Sequence, residues 1–251
     1  MDLGEMAASG SKKVVIAGFV GNSLIGITKF AAATVTGSSA MFSEAIHSLV
    51  DTGNQGLLLY GMKRAARPAD EDHPFGYGRE IYFWTFVVAI LIFSIGAGVS
   101  LYEGVKKIMH PSPIEHAFVN YIVLGIAFVF EAGSWWVAFR EFQRLKGPGG
   151  YFEAARISKD PAVFTVLFED SAALLGIIVA FIGIALGQAM GLEWMDGAAS
   201  VLIGVILALV SAFLAYECKG LLVGESVSRP VVESIRALVS EHAGKVSINE
   251  L

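Results

Sequence analysis

Residues 40–62 read AMFSEAIHSLVDTGNQGLLLYGM. The stretch is long enough to cross a bilayer as a helix, which takes about 20 mostly apolar residues. Yet Glu44, His47 and Asp51 fall within two turns of one another in its first half. Each charge placed in hydrocarbon costs about 2.5–3.5 kcal/mol even on the lenient insertion scale. A segment of this kind is either no membrane helix at all, or one whose polar residues carry chemistry.

The rest of the chain argues for the membrane. Five further segments have the required length and character: Val14–Thr36, Tyr82–Ile108, Ala117–Phe139, Pro161–Leu186 and Glu193–Ala215. Of 251 residues, 55% are apolar and only 16% are charged, against about 25% charged in ordinary soluble domains. Mean hydropathy is +0.62. The first two spans meet across TGSS, too short for anything but a tight hairpin. An even number of spans puts both termini on one side. That side collects Lys12, Lys13, Lys63, Arg64, Arg67, Arg79, Arg140, Arg144, Lys146, Arg156, Lys159 and Lys219, while the other holds Lys106 and Lys107. The excess of basic residues predicts that both termini are cytoplasmic.

The expected architecture is therefore an all-α membrane protein: a tail over 1–13, a six-helix transmembrane domain over 14–224, and the start of a cytoplasmic domain over 225–251. Pro230–His242 has a helical pattern and Val246–Leu251 reads as a strand just beginning. One helix and half a strand bury no core, so that domain reads as incomplete. The loop Lys63–Glu80 is polar and turn-rich, and Gly147–Gly150 reads as an irregular connector. The net charge of −5 leaves no basic footprint for nucleic acid. Cys218 is the single cysteine, which excludes an intrachain disulfide. The N-terminus shows no pattern of a removable signal peptide.

His47 and Asp51 are four residues apart and stack on one helix face. An imidazole beside a carboxylate suits a borderline divalent metal such as zinc. In the fifth span, VLFEDSAALLG supplies Glu169 and Asp170. Adjacent residues diverge by about 100° around a helix, so one of these two faces the His47–Asp51 pair squarely and the other supports it or joins after a small rotation. Lys29 is the one cation in the spans to set against four ionisable groups, and a bound dication answers the excess negative charge better. Glu44, Asn54 and Glu131 are candidates for a supporting shell or a proton path. Glu131 precedes Ala132, Gly133 and Ser134, small residues that let helices approach. Asp196 reads as a cap on the sixth span.

The ordered set of TGSSAMFSEAIHSLVD, the loop DEDHPFGYGRE, an acidic fifth span and DGAAS resembles the cation diffusion facilitators, membrane exporters of divalent metals. The resemblance covers about Val14 to Glu225. NQGLLLYG, RPADEDHPFGYGRE and FED bring it nearest to the branch related to the mitochondrial zinc exporter of animals. It implies a metal/proton antiporter working by alternating access, a homodimer, and a cytoplasmic domain of ferredoxin-like type. The family's second-span ligand pair falls on His47 and Asp51. Its fifth-span pair falls on Val166 and Asp170, and valine binds no metal; Glu169, or water, takes the fourth place. The implied cargo is Zn2+ first, with Mn2+, Co2+, Ni2+, Fe2+ and Cd2+ as alternatives, since a carboxylate-rich site also suits harder ions. Of the family's loop metal site, Asp70 and His73 remain, with Tyr77 where a second histidine is expected. Asp72 and His73 therefore read as solvated loop residues.

The expected setting is the inner or plasma membrane of a prokaryote. An intramembrane metal hydrolase would show a second histidine spaced from a catalytic glutamate, as in HExxH, and SEAIH has the wrong order. A channel would not hold its ion at a deep site of strong ligands. No nucleotide-binding or catalytic motif argues for an enzyme.

Overall fold

The computed structural model describes residues 3–145, 161–224 and 229–242, and everything described is helix, turn or loop. Among the described residues seven helices follow one another: α1 (Leu3–Thr36), α2 (Ser39–Ala65), α3 (Glu80–Met109), α4 (Ala117–Leu145), α5 (Pro161–Met190), α6 (Trp194–Val223) and α7 (Arg229–His242). α1 begins at Leu3, well inside the stretch expected as a tail. α7 falls where the helical pattern predicts, whereas the expected strand at Val246–Leu251 and the connector at Gly147–Gly150 lie outside the described residues, as do Lys146, Arg156 and Lys159.

Among the described residues, four helices are long and apolar enough to cross a membrane: Glu80–Met109, Ala117–Arg144, Ala162–Met190 and Trp194–Val223. α2 has comparable length, but Ser39, Ser43, Glu44, His47, Ser48, Asp51, Asn54 and Gln55 make it far more polar, and all eight are buried. Its polar side faces protein. α2 packs against α1, α3, α5 and α6, and this central position keeps those groups away from the periphery. The outside of the bundle is apolar, with Ile27 on α1, Val129 on α4 and Leu209 on α6 each about 70% exposed. That is the inverse of a water-soluble helix bundle and suits a lipid surround.

The turns follow local chemistry. Gly37 ends α1 at φ +65° and returns its N–H to Ala33 O at 2.9 Å, a left-handed conformation that costs glycine nothing. Ser38 then caps α2, accepting from Met41 N at 3.1 Å. Gly191 closes α5 at φ +69°, and Leu192 N reaches back to Gly187 O at 3.0 Å, the arrangement expected of a helix ending in a left-handed glycine.

α3 is interrupted by a π-helical segment at Ile92–Ala97, which the sequence does not announce. Below it α3 crosses α6 almost backbone to backbone. A Cβ on Gly104 would lie 2.7 Å from Val201 N and 2.8 Å from Gly197 O, and one on Gly197 would lie 2.8 Å from Gly104 O. The close approach expected at Ala132–Ser134 does not use Gly133, whose missing Cβ would meet nothing within 4 Å.

Candidate metal-transport site

The polar residues of α2 meet α5 in the middle of the bundle. His47 Nε2 and Asp51 Oδ2 pair with each other at 2.9 Å, and neither atom has a further hydrogen-bond partner. On α5, Glu169 Oε1 accepts from Asn54 Nδ2 at 3.0 Å, and Asp170 Oδ2 accepts from Ser134 Oγ of α4 at 2.7 Å. Glu169 Oε2 and Asp170 Oδ1 have no partner. All four residues are at most 2% exposed.

Beside the His47–Asp51 pair, Glu169 and Asp170 thus each present one buried oxygen with no hydrogen bond. Buried acceptors are nearly always paired, and each one that is not calls for an explanation. The four donors comprise one imidazole nitrogen and three carboxylate oxygens, a set that fits a divalent cation. They are close but not convergent. Among the described residues, no three His, Cys, Asp or Glu side chains are gathered tightly enough to hold a metal ion. Gathering them requires α2 and α5 to shift, or Glu169 and Asp170 to leave Asn54 and Ser134. Val166, one turn before Asp170, is fully buried and belongs to the apolar core.

The supporting residues are arranged differently from the sequence expectation. Glu44 makes its hydrogen bond with Lys29. Its Oε2 accepts from the Lys29 Nζ at 2.9 Å, and Lys29 also donates to Ser48 Oγ at 2.9 Å. Glu131 Oε1 lies 3.9 Å from the same ammonium, and all three charged side chains are fully buried. The physical reason is charge: an ammonium in this interior attracts the carboxylates around it. Gly176 of α5 makes room for Glu44, because a Cβ there would collide with Glu44 Oε1. Asn54 does position a candidate ligand, Glu169. Ser134, noted in the sequence only for its size, turns out to hold Asp170; a serine one turn from a buried glutamate was the available signal. Asp196 does not cap its own helix, whose start has no side-chain cap. It accepts from Ser39 N and Ser38 Oγ at the start of α2.

The loop after α2 is closed by its own side chains. Asp70 accepts from Tyr77 Oη at 2.6 Å and from His73 N at 2.8 Å. The His73 and Tyr77 rings lie 4.2 Å apart, and the Arg67 guanidinium sits 4.5 Å from the Tyr77 ring centre. The Tyr77 hydroxyl holds the Asp70 carboxyl below its usual range, and the same bond pushes the Tyr77 hydroxyl up. Tyr77 stands where the family pattern expects a second histidine, and its hydroxyl donates to Asp70 instead.

Residues 15–223 match the family model of the cation efflux transmembrane domain. The chain is similar to the human (Homo sapiens) protein named proton-coupled zinc antiporter SLC30A9, mitochondrial, with 36% identity over 244 residues, 96% of this chain and 43% of that one. Metal tolerance protein C4 of Arabidopsis thaliana is 28% identical over 219 residues, covering 86% of this chain and 48% of its own. Manganese efflux system protein MneP of Bacillus subtilis is 20% identical over 242 residues, covering 91% and 74%. The chain spans less than half the length of the first two relatives.

Proposed function

The chain belongs to the cation diffusion facilitator family of multi-pass membrane metal-cation transporters, and on that premise we propose that it exports a divalent metal, zinc first, from the cytoplasm in exchange for protons. The observation that carries this reading is the buried cluster formed by the His47–Asp51 pair on α2 and the unpartnered oxygens of Glu169 and Asp170 on α5. They become the transport ligands when α2 and α5 close on the cargo. Manganese, cobalt, nickel, iron and cadmium remain possible cargoes under this reading, and the carboxylate-rich donor set is the reason. A relative named for zinc and another named for manganese support that breadth.

The proposed coupling is competition. Metal binding needs a neutral His47 and ionised carboxylates, so protons and metal exclude each other at the same atoms. The cluster alternately carries a dication outward and protons inward, and the empty site is never left as several bare buried charges. Alternating access follows from rocking of the spans that bear the ligands. In the proposed topology α1 and α2 join the four apolar helices as a six-span domain with both termini cytoplasmic. α7 begins a cytoplasmic domain of ferredoxin-like type, and the working unit is a homodimer. The proposed setting is a prokaryotic inner or plasma membrane.

Purified protein in proteoliposomes tests the coupling. Zinc uptake should rise with an imposed proton gradient of the exchanging sense and collapse when the gradient is dissipated. Uptake indifferent to the gradient would remove the antiport claim. Metal competition on wild type beside Glu169→Ala ranks the cargoes and tells whether Glu169 is a ligand.

A further inference from the structure

The α1–α2 hairpin turns at Thr36–Ser39, and each of the two helix ends that meet there is held by an opposite charge from another helix. The C-terminus of α1 is the negative end of its dipole, and Lys107 of α3 donates to Gly37 O at 3.0 Å while also holding Ser112 Oγ at 2.6 Å. The N-terminus of α2 is the positive end, with free N–H groups. Asp196 of α6 accepts from Ser39 N at 2.7 Å, Ala40 N at 3.3 Å, Ser38 Oγ at 2.6 Å and Ser39 Oγ at 2.9 Å. Asp196 is 1% exposed and Lys107 8%, so water and salt screen these contacts little. Deeper in the bundle Ser43 Oγ meets Ser200 Oγ at 2.6 Å, and Ser200 donates to Ser100 O at 2.8 Å.

These contacts fasten the hairpin to a unit that is itself tightly joined, since α3 and α6 touch through Gly104 and Gly197. A cavity of about 520 Å³ opens at this end, lined by Gly37, Ser38, Ser39, Glu103 and His110 among others. His47 lies eight residues further along α2, roughly 12 Å of helix. Lys107 lines this cavity together with Ser38 and Ser39, so the clamp forms part of the cavity wall on the way along α2 to the candidate ligands.

We propose that Asp196 and Lys107 are positioning residues that hold the end of the bundle remote from Leu3 and Val223 closed over the metal site, and that outward release requires this clamp to part. The proposal rests on the transport reading and on the six-span topology above.

Cys218 is the single cysteine, so Cys218→Ala gives a thiol-free background. In it Ser43→Cys, a change of one atom, places a reporter behind the clamp, and the full chain is reconstituted in proteoliposomes. Asp196→Asn and Lys107→Gln should each speed labelling by a membrane-impermeant maleimide from the side opposite the termini, by about fivefold or more, as neutralising a charge at a helix end allows. Maximal zinc flux should change while the zinc dissociation constant of the purified variant stays within twofold. Lys107→Arg should restore the slow labelling. A cap that merely stabilises the fold would lower the melting temperature without changing sided labelling. Unchanged labelling and flux in both charge variants, with zinc binding intact, would overturn the proposal, and so would faster labelling from the side of the termini alone. If Asp196→Asn does not fold, Lys107→Gln decides the matter at the other helix end. Zinc flux of the parent protein in the same vesicles separates the two claims: no flux beside the expected labelling contrast refutes the transport reading, and normal flux without the contrast refutes the clamp.

Discussion

Replacing Lys29 by methionine removes one ammonium and keeps most of the side chain's volume. In the wild type Lys29 donates to Glu44 Oε2 and Ser48 Oγ, both at 2.9 Å, with Glu131 3.9 Å away and all three charged groups fully buried. After the change Glu44 is left without a cation and no water reaches it. Removing one partner of a buried pair costs about 3–5 kcal/mol, whereas replacing both by uncharged groups is often close to neutral. Lys29→Met should therefore destabilise by about that amount, and Glu44→Gln in the same background should recover a large part of it. The coupling energy from the double-mutant cycle should reach at least about 2 kcal/mol, within the range for residues in one network. The assay is reversible denaturant unfolding in mixed micelles, followed by tryptophan fluorescence of wild type, both single variants and the double. A loss under about 1 kcal/mol in Lys29→Met would refute the reasoning. Strictly additive single changes would refute it too, because the three groups would then not act as one charge cluster.

Further outcomes follow from other parts of the structure. Val166→His puts an imidazole one turn before Asp170 on the same face; zinc affinity by chelator competition should tighten roughly tenfold, since it adds a ligand to a carboxylate-rich set, and an unchanged affinity in folded protein counts against the site. Gly104→Val forces a side chain into Gly197 O and Val201 N and should destabilise by about 1–3 kcal/mol or more. Gly125→Val, whose Cβ meets nothing within 4 Å, is the control and should leave thermal unfolding nearly unmoved. In the loop, the Asp70 carboxyl is depressed by the Tyr77 hydroxyl. Its contribution to loop order is thus present above the unfolded-state value of about 3.9 and fades as pH falls through the lower folded value. Protease sensitivity of residues 66–79 should rise on acidification below about pH 4, and Tyr77→Phe should raise it already at neutral pH.

Much of the fold was legible because hydrocarbon imposes a length and a composition on each helix. The ends of α3 and α7 follow from pattern alone, and the TGSS connection around Gly37 marks its turn openly. The polarity of α2 was legible too, and so were His47, Asp51, Glu169 and Asp170, since buried charge in a span is costly enough to single out. Pairings across the bundle were not. Nothing local tells Glu44 to choose Lys29, fifteen residues away, over His47, three residues away. Asp196 looked like a cap for its own helix because sequence shows only the nearest helix start, whereas packing places the start of α2 beside it. Tyr77 could be read as a missing ligand but not as the hydrogen-bond donor that replaces one. The π-helical segment at Ile92–Ala97 has no periodic signature in so apolar a stretch.

His47, Asp51, Asp170 and Glu169 are proposed to carry the cargo, and zinc flux in proteoliposomes of Asp51→Ala and Asp170→Ala beside wild type decides whether they do. Both variants should still reconstitute, and both should lose nearly all transport, because each removes a carboxylate donor from the proposed ligand set. Zinc uptake that survives either substitution at a rate near wild type would contradict the assignment.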